Sequence, residues 1–273
     1  MIIDFHCHAF PDALAPHAMA SMVGNTGSSH ATDGSVTALK ASMQEAGIDL
    51  SVILPVATNP MKLTTMNNIS LEHDPSDGLL YFGGIHPLAP NWKEELDRLA
   101  AGGVKGIKIH PPFQKVDITD PAFLRVMEHA AALDLIVVAH TGPELSFPGT
   151  EYSAPHKVRE ALRSLPGIRF VGAHMGGCTS YEECMEHYAD LDCMLDVSCL
   201  LPPSGPLAIY FDMIEDEDVV RCVREMGVER FLFGSDIPWF SQKEMRAAFD
   251  RLPFTGDERA AILGGNAKKL LRI

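Results

Sequence analysis

The sequence is short of positive charge. Its 22 lysines and arginines face 36 aspartates and glutamates, for a formal net charge of −14. A surface of that sign repels phosphate backbones, which argues against nucleic-acid partners, and it argues equally against docking on an anionic membrane. Long apolar runs are missing too. None approaches the ~18 residues a membrane span needs, and Met1 leads straight into Ile2, Ile3 and Asp4 with no basic segment ahead of an apolar one. The six cysteines (Cys7, Cys178, Cys184, Cys193, Cys199 and Cys222) contain no CxxC spacing. Without a secretory signal they read as reduced thiols, and the expectation is a cytoplasmic protein. No GxGxxG follows the first apolar run, which removes the usual sign of a dinucleotide-binding sheet. Linkers, low-complexity tracts and sequence repeats are absent as well.

What is present is a recurring pattern. Hydrophobic residues make up 46% of the 273 positions, enough for a sizeable core. Eight apolar, β-branched runs recur along the chain: IIDFH (2–6), SVILPVA (51–57), LLYFGGIH (79–86), GVKGIKIH (103–110), LIVVAH (135–140), IRFVGAH (168–174), CMLDVS (193–198) and RFLFGSD (230–236). Continuous rather than alternating apolar runs fit strands buried on both faces, as in a parallel sheet. Helical patterns lie between them. Ser35 opens one that Gly47 stops, Asn91 and Asp120 precede others with Pro121 at a first helical position, and Ser241 precedes a further one. Eight such alternations in a chain of this length predict an α/β fold, a (β/α)8 barrel spanning residues 1–273 as one domain. Ala9 to Gly34 reads as the longest irregular stretch, and Asn59 to Asp77 is only weakly patterned.

The histidines sit where such a barrel keeps its chemistry, at the carboxyl ends of strands. His6 and His8 end the first run, His86 the third, Lys108 and His110 the fourth, His140 the fifth, His174 the sixth, and Asp236 the eighth. An isolated HxH is either accident or half of a metal site. Residues i and i+2 of a strand face one side, so His6 and His8 can hold one ion. A third histidine and a carboxylate from other strand ends would complete a metal shell with an open position. His140, His174 and Asp236 are the residues on offer.

Taken together, DFHCHAFPD (4–12), GIKIHPPFQ (106–114), VVAHTG (137–142), GAHMGG (172–177), FGSDIPW (233–239) and GGNAKKLL (264–271) resemble the amidohydrolase superfamily. The likeness is nearest to its branch of TIM-barrel metal-dependent hydrolases that includes aminocarboxymuconate-semialdehyde decarboxylase, and it covers essentially the whole chain. The resemblance implies that His6, His8, His140 and Asp236 bind one catalytic divalent ion, commonly zinc. It implies that His174 orients or protonates the reacting group and that Asp236 also moves a proton. Two features depart from the family pattern. The fourth strand offers Lys108 and His110 rather than a bridging carboxylate, which favours one metal over two. Lys108 then reads as a salt-bridge partner, an anchor for an anionic substrate, or a carboxylated bridge. In addition, no arginine stands in the loops after the strands, which weakens any transfer of a dicarboxylate substrate. His110, Phe113 and Trp239 are read as substrate-binding residues, with a plain capping role open for the two aromatics.

The main reading is a hydrolase of an amide, ester or lactone bond, its metal-bound water brought near neutral pKa from ~15.7. The same residues suit a metal-dependent non-oxidative decarboxylase or hydratase of a small carboxylic acid. A phosphoesterase of the polymerase-and-histidinol-phosphatase type would want a late Asp-x-His pair, and no histidine follows His187. A metal-binding protein without catalysis is the remaining reading. The expected partners are a small-molecule substrate and, as an assembly, a homodimer.

Overall fold

Parallel strands and helices alternate along the chain. The computed structural model describes residues 1–26, 29–177, 180–201 and 214–273. Its strands are β1 (Ile3–Cys7), β2 (Leu50–Ile53), β3 (Leu79–Tyr81), β4 (Gly83–Gly84), β5 (Gly106–Ile109), β6 (Ile136–Ala139), β7 (Arg169–Gly172), β8 (Met194–Asp196) and β9 (Phe231–Leu232). Each of the eight apolar runs contains a strand, the third split into β3 and β4 around Phe82. Every residue of β1, β2, β5 and β6 is buried, as the continuous apolar runs require.

The chain forms two compact units, residues 1–53 with 196–273, and residues 54–195. In the first, β1 runs parallel to β2, with Ile3 opposite Leu50 and Asp4 opposite Ser51. The segment leading out of β9 lies along the other side of β1. There the Phe5 N–H donates to Phe233 O at 2.8 Å, Asp236 N–H to His6 O at 2.8 Å, and His8 N–H to Ile237 O at 2.7 Å. Beyond it, Val197 N–H donates to Leu232 O at 2.9 Å. The ends of three strands, carrying His6, Gly234 and Asp196, therefore lie side by side.

In the second unit β4, β5, β6 and β7 follow one another in parallel, and Met194 and Leu195 continue the series. One rung runs Gly84, Lys108, Val138, Val171, Met194. Two residues further along, His110 and His140 leave adjacent strands at matching heights. Helices return the chain between strands with the expected caps. Ser35 Oγ accepts from Ala38 N–H at 3.0 Å, Gly47 closes that helix at φ 67°, and Asp120 accepts from Ala122 N–H at 2.7 Å. Asn91 precedes its helix but caps nothing with its side chain.

Two stretches are more ordered than their sequences suggest. Residues 15–26 form a helix inside the segment expected to be irregular. It has little apolar periodicity, and alanine propensity carries it. Pro16 falls in the first turn, where a missing N–H costs nothing. Likewise Leu63–Glu72 is helical. Its buried face sets Leu63 beside two polar residues, Asn67 and Ser70: Asn67, fully buried, accepts from Gly84 N–H at 3.0 Å and donates to Glu95 Oε2 at 3.1 Å. A hydrogen-bonded face of this kind leaves no apolar stripe to read. Among the described residues Cys7, Cys184, Cys193, Cys199 and Cys222 form no disulfide; Cys178 lies outside the described residues. Among the described residues no helix is long and apolar enough to cross a membrane.

Candidate metal centre

In the first unit three candidate ligand atoms converge. His6 Nε2 and His8 Nε2 are 3.2 Å apart, and Asp236 Oδ1 lies 3.5 Å from the first and 3.3 Å from the second. An ion with ligands at about 2.1 Å in a tetrahedral site holds them roughly 3.4 Å from one another. The triangle therefore has the dimensions of one face of a metal shell, and the donor set of two imidazoles and a carboxylate suits a divalent ion. Local structure explains the convergence. His6 near the end of β1 and His8 just beyond it fall on one side, as i and i+2 residues of an extended chain do. Asp236 takes a left-handed backbone, φ 62°, which aspartate tolerates better than most residues. Its N–H bond to His6 O pins that conformation.

Behind the triangle are buried carboxylates. His6 Nδ1 is 2.8 Å from Asp196 Oδ2, both side chains essentially inaccessible. Asp196 Oδ1 accepts from Ser198 N–H at 3.1 Å and Ser198 Oγ at 2.5 Å. Asp4, also fully buried, accepts from Ser235 N–H and Oγ, Gln242 Nε2 and His6 N–H. Burial pushes its carboxyl up from the ordinary value while those donors pull it down. Trp239 is half-buried, and its backbone N–H donates to the Asp236 carbonyl oxygen at 3.1 Å.

The second unit gathers the remaining histidines. His110 and His140 stack with ring centroids 4.2 Å apart and planes at 13°, as neighbours on adjacent strands will. Glu144 Oε2 lies 3.6 Å from His110 Nε2 and 3.8 Å from His140 Nε2. His174 Nε2 is 3.2 Å from His140 Nδ1. His174 and Met175 are left-handed, φ 58° and 55°, the kind of backbone departure that gathers at functional sites. The loops that carry these histidines meet closely: a Cβ on Gly142 would stand 2.3 Å from Gly177 O. Phe113 crosses the His110 ring edge-on at 4.4 Å and meets Phe147 at 5.5 Å, an aromatic wall rather than an isolated cap. Lys108 is 1% exposed, two residues before His110. His86 is buried, which pushes its imidazole toward the neutral form, and its Nδ1 accepts from Leu88 N–H, a structural use.

Thus the expected residues fall into two sets, His6, His8 and Asp236 in one unit, and Lys108, His110, Phe113, His140 and His174 in the other. Sequence reasoning missed Asp196. It ends β8 inside the seventh apolar run, CMLDVS, and a carboxylate at a strand end was the available signal. Glu144, four residues after His140, lies within 4 Å of both stacked histidines.

The fold has counterparts among solved structures. No curated protein matches the chain. Among solved structures it is similar to an uncharacterised TIM-barrel protein of Bordetella bronchiseptica, at 17% identity and a TM-score of 0.78, covering 99% of this chain and 98% of that one. It is similar to 5-carboxyvanillate decarboxylase of Sphingomonas paucimobilis, at 17% identity and a TM-score of 0.70, covering 100% and 99%. A third is the dihydroxybenzoic acid decarboxylase of a Polaromonas species, solved with manganese and the inhibitor 2-nitroresorcinol, at 14% identity and a TM-score of 0.69, covering 99% and 96%. At such identities the likeness speaks for the fold, a (β/α)8 barrel, as the sequence predicts. The amidohydrolase family model matches residues 3–273, nearly the full length, and the chain belongs to that family.

Proposed function

We propose that the protein is a metal-dependent, non-oxidative decarboxylase of a small, ring-bearing carboxylic acid. The observation that carries the proposal is the triangle of His6 Nε2, His8 Nε2 and Asp236 Oδ1, on a fold whose characterised neighbours named above are decarboxylases. Those neighbours favour this reading over the hydrolase that the sequence puts first. His140 joins the ligand set on the strength of its VVAHTG motif. Two or three imidazole nitrogens suit zinc, although the Polaromonas enzyme was solved with manganese. A divalent ion held by these residues would supply a Lewis acid that anchors the acid's oxygens and draws electron density away from the carbon that keeps the electron pair.

The chain's own groups supply the rest. The bond between the carboxylate and its neighbouring carbon breaks, CO2 leaves, and the electron pair stays on that carbon. A proton from the Asp236 carboxyl fills the vacated position, and solvent restores it. His174, beside His140, is the second group proposed to orient or protonate the substrate. Lys108 and His110 are proposed to meet its polar edge, and Phe113 and Trp239 its ring. With no arginine after any strand, a monocarboxylic acid is the better substrate class.

Zinc- or manganese-loaded protein incubated with hydroxybenzoic acids in deuterated water should release CO2 and leave one deuterium at the vacated carbon. In parallel, a panel of lactones and amides in 18O-water should return unlabelled. Turnover of that panel with 18O in the product acid, and no CO2 from the benzoates, would establish the hydrolase reading instead.

A further inference from the structure

We infer that Asp196 is a positioning residue: its carboxylate fixes the tautomer and the aim of His6, and Gly234 is the gap that lets the two side chains meet. This rests on the proposal that His6, His8 and Asp236 hold an ion. The geometry is specific. His6 and Asp196 stand on strands that are not neighbours, with the β9 extension between them. A side chain at Gly234 would close the space, since a Cβ there would lie 2.9 Å from His6 Cβ and 3.4 Å from Asp196 Cβ and Cγ. Through that opening Asp196 Oδ2 reaches His6 Nδ1 at 2.8 Å. Its other oxygen is occupied by Ser198, so the carboxylate cannot rotate freely.

The chemical consequence follows from imidazole itself. A carboxylate at Nδ1 places the ring proton there and leaves the lone pair on Nε2, the atom facing His8 and Asp236. It also makes that lone pair more basic and holds the ring plane, the usual role of a partner behind a metal-bound histidine, where its loss costs 10–100-fold in metal affinity. Both side chains are buried, so water cannot substitute.

The test begins with the wild type. Histidine 15N–1H correlation spectra of the metal-free protein should give His6 as the Nδ1–H tautomer. Zinc titration by chelator competition then gives the reference affinity. Asp196→Asn, whose amide can still accept a hydrogen bond but carries no charge, should bind zinc about 10-fold more weakly, and Asp196→Ala more weakly again, toward 100-fold. Ser198→Ala should fall between wild type and Asp196→Asn, and Gly234→Ala should weaken binding with Asp196 intact. An Nε2–H tautomer in the wild type, or Asp196→Asn binding zinc as tightly as wild type, overturns the inference. Should neither variant fold, the wild-type tautomer still decides it. A wild type that binds no zinc or manganese would instead defeat the metal proposal on which it rests.

Discussion

Asp236 is asked to do two things, to face an ion and to deliver a proton, and substitution can separate them. Its left-handed backbone is one that asparagine adopts as readily as aspartate, so Asp236→Asn should fold without added strain. Alanine there would bring a backbone cost of its own and blur the result. Asparagine keeps one oxygen near His6 Nε2 and His8 Nε2 but carries neither charge nor a carboxyl proton to deliver. Metal affinity should fall, and turnover at saturating metal should remain down by roughly 10²–10⁴-fold, the range for a positioned acid or base. Occupancy and rate are to be measured on one sample. Recovery to the wild-type rate once the site is refilled would mean that the proton comes from elsewhere, with His174 the next candidate.

Elements were legible where one physical rule dominates. Runs such as LIVVAH become strands because both faces are buried, and Ser35 and Asp120 start helices because their side chains accept orphan N–H groups. The Leu63–Glu72 helix was not legible because Asn67 and Ser70, satisfied by distant partners, share its buried face with a single leucine, Leu63. For the same reason the sequence exposed His6, His8 and Asp236 by motif but hid Asp196, which lies 190 positions from its partner. Ion pairs between helices are equally invisible. Arg159 and Arg163, on the helix Pro155–Arg163, clasp Asp190 just beyond the helix Tyr181–Tyr188. The two guanidinium groups, Arg159 foremost, hold its carboxyl at about 2 instead of 3.8. A carboxyl depressed by folding stabilises the protein above its unfolded pKa, and the gain is lost as pH falls through the folded value. Asp190→Asn should therefore lower the urea midpoint at pH 6. The gap to wild type should narrow between pH 4 and pH 2, and narrow again in high salt because the pair is exposed. A gap unchanged at pH 2 would assign the effect to packing.

At the scale of the whole molecule, the three corners of the triangle come from opposite ends of the chain. His6 and His8 lie in and just after β1, and Asp236 lies 230 residues beyond His6. In the unfolded chain only the two histidines stay close, so an ion held by all three favours the folded state. By mass action, free metal at 100 times its Kd adds about 2.7 kcal/mol. For 273 residues, an unfolding entropy of roughly 2.1 cal/mol/K per residue converts this to a rise of about 5 °C in Tm. The predicted experiment is thermal unfolding of chelator-stripped protein, with zinc or manganese restored in steps. The midpoint should climb by about that amount. His8→Ala should reduce the climb furthest, because it removes one imidazole ligand outright. Asp196→Asn, tested at the same free metal, should show about half of it, since a tenfold weaker Kd leaves only about 1.4 kcal/mol of linkage. The order of the three proteins is the discriminating result. A full shift in His8→Ala would mean that the stabilising ion sits away from His6, His8 and Asp236. In that case the stacked histidines with Glu144 would be the next place to look, with His110→Ala as the variant to heat.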